Sequence, residues 1–516
     1  MAEPTTLLSL PNEVLIIIFE NPKFPVDYLA ILAVLCRRLH FIALPIYFSR
    51  NGMPSPTESA VIHLAKDGQD ILAALNMALF VTSMEDITCI LPHPSCTSVL
   101  PLLPHLARFR KFITRFPSVG RVTLQLDARN SMCNATGDDK ALRAWSFALG
   151  SLLNCLVQRQ CTELTVKYGG YLTRSYMLSV EPKKRVRRIV KAIQRLFRPR
   201  APMEGKGWEF RRSREQGRER ALTSVPSKIS RSSTLTSLHI QSAVLIMPPC
   251  LNWTLSALRH CPIAFLSLFQ ISLEKEIWSA ALSLIARAAP EITDLSLSEL
   301  DSISDVEILS FCSRLPRLVT LTIGYNEEAQ GTPTKYAKGR IPELRNLTSL
   351  TAPADFIRYL MRPRACLPKL MSLRISFHGK THIRTIGEQL SDVCQLMTAR
   401  TLSPSLSLSL PLYSDIAFDF DSVIKLPDET KKYFACVASL ALDIFPSNPG
   451  EIARWVHLFP SVQHVSITLQ SKPADANAYD DRLVQALSKD RGYIRTIVVN
   501  SQKHVLADLL PSTRKI

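Results

Sequence analysis

The chain has 516 residues, with 62 Lys and Arg against 44 Asp and Glu, a formal net charge of +18. Hydrophobic residues make up 46% and charged residues 21%, enough apolar material for a large core and too little charge for a mainly disordered chain. No apolar run approaches the ~20 residues that span a bilayer, and the opening Met-Ala-Glu-Pro lacks the basic stretch of a secretion signal. Glu3 also disfavours an organelle presequence. The twelve cysteines include no Cys-x-x-Cys pair and lie in apolar stretches, as at Cys36, Cys155, Cys312 and Cys394. They point to reduced, buried thiols in a cytoplasmic or nuclear protein, so the sequons at Asn134, Asn252 and Asn346 read as chance matches.

Three short helices are expected first, within residues 1–50. Pro11 and Glu13 suit a helix's first turn, where a missing N–H is harmless and a negative charge is favoured. Val14 to Phe19 is then six apolar residues in a row, and Tyr28 to Cys36 has the same character. A helix apolar all round must be buried all round. A unit of this size cannot enclose itself, and leaving four or five such side chains wet forfeits roughly 1.5–3 kcal/mol each. Either the next domain or another chain covers them.

Leu10, Pro11, Glu13, Val14, Ile17, Phe19, Leu29, Leu32, Val34, Arg37, Arg38 and Pro45 together resemble the F-box, the adaptor motif of SCF-type (cullin–RING) ubiquitin-ligase substrate receptors. Leu39 departs from that pattern, standing where the family usually has an aromatic, commonly Trp. The resemblance implies that these helices pack on a Skp-type linker protein and, through it, reach a cullin. The implied adaptor-binding residues are Leu10, Pro11, Val14, Leu15, Ile18, Leu29, Leu32 and Val34. The alternative is a terminal cap on the following repeats.

Residues 51–173 read as the first part of a strand/helix array. Val119, Val122 and Leu124 after Pro117 mark a short strand. Leu142, Trp145, Leu149, Leu152, Leu153 and Leu156 mark a helix, with Asp138 and Asp139 placed ahead of it to meet its dipole.

The rhythm then breaks. Residues 174–230 form a basic insertion expected to be largely disordered; residues 183–220 hold fifteen Lys or Arg against four Glu, more than half the chain's charge excess. Val186, Ile189, Val190, Ile193, Leu196 and Phe197 nevertheless share one helical face ringed by basic residues. Such a helix can dock on the array, bind a membrane surface or calmodulin, or serve nuclear import, for which Lys183, Lys184, Arg185, Arg187 and Arg188 are the candidate signal.

Residues 231–510 carry the main array, and 511–516 a tail. Pro290, Pro316, Pro342 and Pro368 recur every 26 residues, with apolar residues two, five and seven positions on. The sets are Ile292, Leu295, Leu297; Leu318, Leu321, Ile323; and Leu370, Leu373, Ile375, while the third repeat has Leu344, Leu347 and then Ser349. The spacing recurs at Leu235, Leu238, Ile240; Val437, Leu440, Leu442; Val462, Val465, Ile467; and Ile494, Ile497, Val499. Helical stripes run through Ile277–Ala288 and Ile383–Met397. This resembles a degenerate leucine-rich-repeat solenoid, which implies a horseshoe of parallel strands and outer helices. An ordinary α/β domain with parallel strands is the alternative. The family's ladder position, where Asn or Cys should follow the last strand residue, is met at Asn326 but not at Leu300, Ala352 or His378.

Strand alternation places Arg121, Thr123, Gln125, Asp294, Ser296, Ser298, Thr320, Thr322, Gly324, Ser372, Arg374, Ser376, Ser439, Ala441, Asp443, His464, Ser466 and Thr468 on the outward face. That face is hydroxyl-rich and lacks the basic stripe and stacking aromatics of a nucleic-acid groove. Protein recognition suits it better, with loops such as Tyr325 to Tyr336 supplying anchors. No Gly-x-Ser-x-Gly, phosphate-cradling loop or His-Glu-x-x-His occurs. His378 and His382 have a helical metal spacing, but Gly379 between them favours a loop. Asp480 and Asp481 are expected at a helix start.

The fold expected is α/β, with a small F-box-like helical element, a leucine-rich-repeat-like solenoid and a basic insertion. The function expected is substrate recognition for an SCF-type ubiquitin ligase, with no enzymatic activity, no cofactor, no catalytic or metal residues and an unknown protein substrate. A leucine-rich-repeat interaction scaffold unrelated to ubiquitin is the alternative.

Overall fold

In the computed structural model the described residues are 7–64, 71–92, 99–126, 139–169, 176–180, 208–212, 233–248, 250–324, 343–361, 367–376, 383–398, 407–412, 428–444, 448–469, 476–488, 494–500 and 502–505. The chain forms two compact units, Met1–Ala289 and Pro290–Ile516.

The first unit opens with helices α1 (Asn12–Glu20), α2 (Val26–Leu35) and α3 (Arg37–Arg50). Strand and helix then alternate: β1 (Ser59–His63), α4 (Ile71–Met77), β2 (Met84–Ile90), α5 (Leu102–Ile113), β3 (Val119–Gln125), α6 (Asp139–Gln158) and β4 (Glu163–Lys167). After β5 (Tyr176–Val180) and β6 (Trp208–Arg212) come β7 (Ser237–Gln241), α7 (Leu251–His260), β8 (Phe265–Ser272) and α8 (Lys275–Ala288). Strands β1, β2, β3, β4, β7 and β8 pair in that order, every pair parallel. Parallel neighbours need a crossover, and helices supply it from β1 to β4 and from β7 to β8.

The second unit continues the scheme with β9 (Asp294–Asp301), α9 (Asp305–Cys312), β10 (Thr320–Ile323), β11 (Ser349–Pro353), α10 (Ala354–Met361), β12 (Ser372–Ser376), α11 (Ile383–Thr398) and β13 (Ser407–Leu412). The short α12 (Asp428–Lys431) runs into a 3-10 turn at Lys432–Cys436, followed by β14 (Ser439–Ile444), α13 (Pro449–His457), β15 (His464–Leu469), α14 (Ala476–Ser488), β16 (Thr496–Val499) and β17 (Gln502–Val505). Strands β9 to β16 pair in sequence and in parallel; β17 returns antiparallel to β16. The sheet of each unit is open, built from strand–helix repeats in chain order, as a solenoid requires.

One spacing builds most of these repeats. Met84, Ile87 and Cys89, then Val119, Val122 and Leu124, then Cys161, Leu164 and Val166 are all buried, three and then two positions apart. The same holds for Ile263, Leu266 and Leu268, and for Leu347, Leu350 and Ala352. The last two members of each set point inward from the strand, and the first lies at the strand's start or two residues ahead of it. Register corrects the 26-residue ruler. Leu295 pairs with Leu321, 26 residues on, but Leu321 pairs with Leu350 and Leu350 with Leu373, steps of 29 and 23. The third repeat is thus set three residues later than Pro342 implies, and Ser349 faces outward. Gly324 is required on that face, because a Cβ there would overlap Ser298.

The ladder position is filled differently from the family pattern. Leu300 is buried, and Glu299 before it takes a left-handed φ of 52° that turns the apolar side chain inward. At Asn500, φ 47°, the side-chain oxygen accepts the Leu469 N–H at 2.8 Å, satisfying a backbone donor at the end of β15. The helices start on ordinary caps. Ser304 and Glu307 form a capping box before α9, and Asn448 accepts the Gly450 N–H at the start of α13. Asp480 and Asp481 lie inside α14, not at its start, so the dipole role expected of them is corrected. Asp139 begins α6; Asp138, His378, His382, Asn134, Asn326 and the Tyr325–Tyr336 loop lie outside the described residues.

The 174–230 insertion leaves the main ladder intact, since β4 pairs directly with β7, Leu164 opposite Leu238. Within it β5 and β6 form an antiparallel ribbon, Leu178 opposite Phe210 and Val180 opposite Trp208, in a stretch expected to be largely disordered. Aromatic and β-branched residues at Tyr176, Val180, Trp208 and Phe210 favour strand there. The helix expected over Val186–Phe197 lies outside the described residues.

Candidate functional site

Three helices with almost no polar face need something to decide which side is buried. Two arginines of α3 do this. Arg38 donates from Nε to Asn12 Oδ1 at 2.8 Å, from Nη1 to the Leu8 carbonyl at 2.6 Å, and from Nη2 to the Leu10 carbonyl. Arg50 donates to the carbonyls of Phe24 at 2.8 Å, Pro22 at 3.2 Å and Phe19 at 3.3 Å. One clamp fixes the entry to α1. The other fixes the turn from α1 to α2, capturing a carbonyl from the last turn of α1 that the helix itself leaves unpaired.

With the phase set, Leu15 and Phe19 on α1 and Leu29 and Ala33 on α2, each pair four residues apart, are buried. Against them α3 buries Leu39, Ala43, Leu44, Tyr47 and Phe48. His40 ties this unit to the first repeat. Its Nε2 accepts the Leu79 N–H at 3.2 Å, so Nδ1 carries the proton and donates to the Ala33 carbonyl at 3.0 Å. The neighbouring Phe80 ring packs on Phe41 and Phe48, each with centroids 6.2 Å away.

The opposite faces stay in water. Ile17 is 70% exposed on α1; Ile31, Val34 and Leu35 are 55%, 59% and 65% exposed on α2. Val14 joins Ile17 three residues away, and Tyr28 joins Ile31. Scattered exposed apolar residues are normal, but a run of them on two consecutive helices that both pack on α3 marks a surface meant to be covered.

Of the eight residues expected to touch an adaptor, Pro11, Val14 and Val34 are exposed, and Leu10, Ile18 and Leu32 are half-buried. Leu15 and Leu29 are fully buried and belong to the core of the three-helix unit, a correction. Ile31, Leu35 and Tyr28 are exposed as well and fall outside the expected set, because an unbroken apolar run carries no phase from which to read its outer face. Lys183, Lys184, Arg185, Arg187 and Arg188 lie outside the described residues.

The outward sheet faces are polar, as alternation requires. In the second unit Thr320, Ser349, Ser372, Ser407, Ser439 and His464 form one in-register row across six strands. Beside it Arg374 reaches across β13 to pair with Asp443 on β14, whose side chain is mostly buried. In the first unit Asp86 pairs with Arg121 at 3.3 Å, and Glu163 meets His239 at 3.2 Å. Burial holds the His239 imidazole below its ordinary pKa; the Glu163 carboxylate opposes this, and Lys167 adds to it. Among the described residues no helix is long and apolar enough to cross a membrane, and no group of three or more His, Cys, Asp or Glu is placed to hold a metal ion.

No protein-family model and no curated protein matches this sequence. Among solved structures the chain is similar to one in the crystal structure of the Rad7 and Elc1 complex in yeast, at 12% identity and a TM-score of 0.36, covering 97% of this chain and 94% of that one. At that TM-score no part of the functional reading rests on the likeness.

Proposed function

We propose that the protein is the substrate-recognition subunit of an SCF-type ubiquitin ligase. The exposed faces of α1 and α2 dock on a Skp-type linker, and the outward face of the strand–helix repeats holds a protein target. The protein does no bond chemistry in this role; it supplies proximity and orientation. The observation that carries the reading is the run of wet apolar side chains on α1 and α2, held in one phase by Arg38 and Arg50. Covering Ile17, Ile31, Val34 and Leu35 would contribute roughly 1–2 kcal/mol each, scaled from full burial by their exposure.

The test is co-purification of the full chain with a Skp-type linker, wild type against Ile31→Asp with Leu35→Asp. Loss of the linker with an unchanged melting midpoint supports the assignment; equal recovery refutes it. One observation favours a terminal cap, the alternative reading: His40 and Phe80 already seat α3 on the first repeat. A wild-type chain that stays monomeric and binds no linker decides for that scaffold role.

A further inference from the structure

In the second unit two cysteines from different segments lie side by side. Cys394 lies in α11, fully buried. Cys436 ends the 3-10 turn that leads into β14 and is half-buried. Its Sγ sits 3.9 Å from the Cys394 carbonyl. Gln395 Nε2, one residue along α11, donates to the Tyr433 hydroxyl at 3.4 Å, so the helix and the turn are held side by side at two points.

We propose that Cys394 and Cys436 are a peroxide-sensitive thiol pair that closes to a disulfide and staples α11 to the segment before β14. Cys436 is the attacking sulfur, because it is half-buried and reachable where Cys394 is fully buried. The Cys394 S–H hydrogen bond holds its thiol below the ordinary range, burial opposes this, and the Thr398 hydroxyl adds to the lowering. Cys394 shifts the other way, first because of its bond to Cys436 and then because it is buried. The contrast with the other buried thiols is sharp: burial pushes Cys161, Cys250 and Cys312 up to about 12. Those three are inert packing residues.

The chemistry balances with a hydroperoxide as oxidant. The Cys436 thiolate attacks the O–O bond, leaving a sulfenic acid and hydroxide. The Cys394 sulfur then displaces hydroxide from Cys436, its proton leaving with it as water. Two thiols and one hydrogen peroxide become one disulfide and two waters. The bond joins the helix that precedes β13 to the turn that follows it, and β13 is the strand over which Arg374 reaches to Asp443. It therefore stiffens the part of the repeat array that carries that ion pair.

The experiment treats reduced full-length protein with hydrogen peroxide, alkylates the remaining thiols and maps peptides without reductant. A Cys394–Cys436 linked peptide that a reductant abolishes is expected, with Cys161, Cys250 and Cys312 recovered as thiols. Cys394→Ser should instead trap Cys436 as a sulfenic acid that a dimedone probe labels. Recovery of both cysteines as alkylated thiols overturns the proposal, and so does Cys436 linked to any other residue.

Discussion

Leu15 and Ile17 sit two residues apart on one apolar helix and should behave in opposite ways. Leu15 is 0% exposed, beneath α3, so Leu15→Ala removes a filled core position and should cost about 2–5 kcal/mol. Ile17 is 70% exposed, so less than a third of its area is buried. Ile17→Ala therefore loses roughly 0.5–1 kcal/mol of burial, and the better helix propensity of Ala returns a few tenths. Because the chain forms two units, one unfolding free energy for the whole is not the right readout. Amide hydrogen exchange over residues 12–50 reports this element directly. Leu15→Ala should lower its protection about 30-fold or more, at 1.4 kcal/mol per factor of ten, while Ile17→Ala leaves it near wild type. Equal losses would mean that α1 shelters Ile17 in solution, and the proposed docking surface would not exist.

Two other perturbations test the architecture. Replacing residues 174–230 with a short Gly-Ser link removes the β5–β6 ribbon but should leave the melting midpoint unchanged within roughly 3 °C, because β4 already pairs with β7; a collapse of the transition would show that the insertion helps hold the ladder. Asp305, in the first turn of α9, has its carboxyl raised above the ordinary 3.8 by burial and then by the charge of Asp355. As pH rises from that value the unfolded chain ionises before the folded one, so stability falls until the folded carboxyl also ionises and stays lower above it. Asp305→Asn should thus gain stability over wild type as pH rises through that window, and no gain at neutral pH in denaturant melts would contradict the assigned burial and repulsion.

Most strands were legible because buried positions three and two apart repeat through the chain, and Pro often precedes them. Where Met84, Cys89 or Cys161 fills a slot, a search for Leu, Ile and Val passes over β2 and β4. The proline ruler misplaced β11 because steps of 29 and 23 residues average to the period on either side, and only the strand register reveals it. The candidate site was legible as a demand for cover but not as a surface. Nothing between Val14 and Phe19 distinguishes Leu15 from Ile17; the difference comes from Arg38 and Arg50, which bond to backbone oxygens and so leave no mark in side-chain spacing. The antiparallel ribbon inside the basic segment was hidden for another reason. Its two strands are short, and the residues between them are dominated by charge.

One imidazole has a mechanical consequence. His40 holds α2 by one nitrogen and the strand-side turn at Leu79 by the other, and both bonds are to main-chain atoms. There is no swivel between them. A load applied to α2 reaches the first strands through a flat ring with no slack to absorb it, so whatever grips the helices also sets the direction in which those strands face. If the helices dock as proposed, a target on those strands would be presented at a fixed bearing, not swung on a tether.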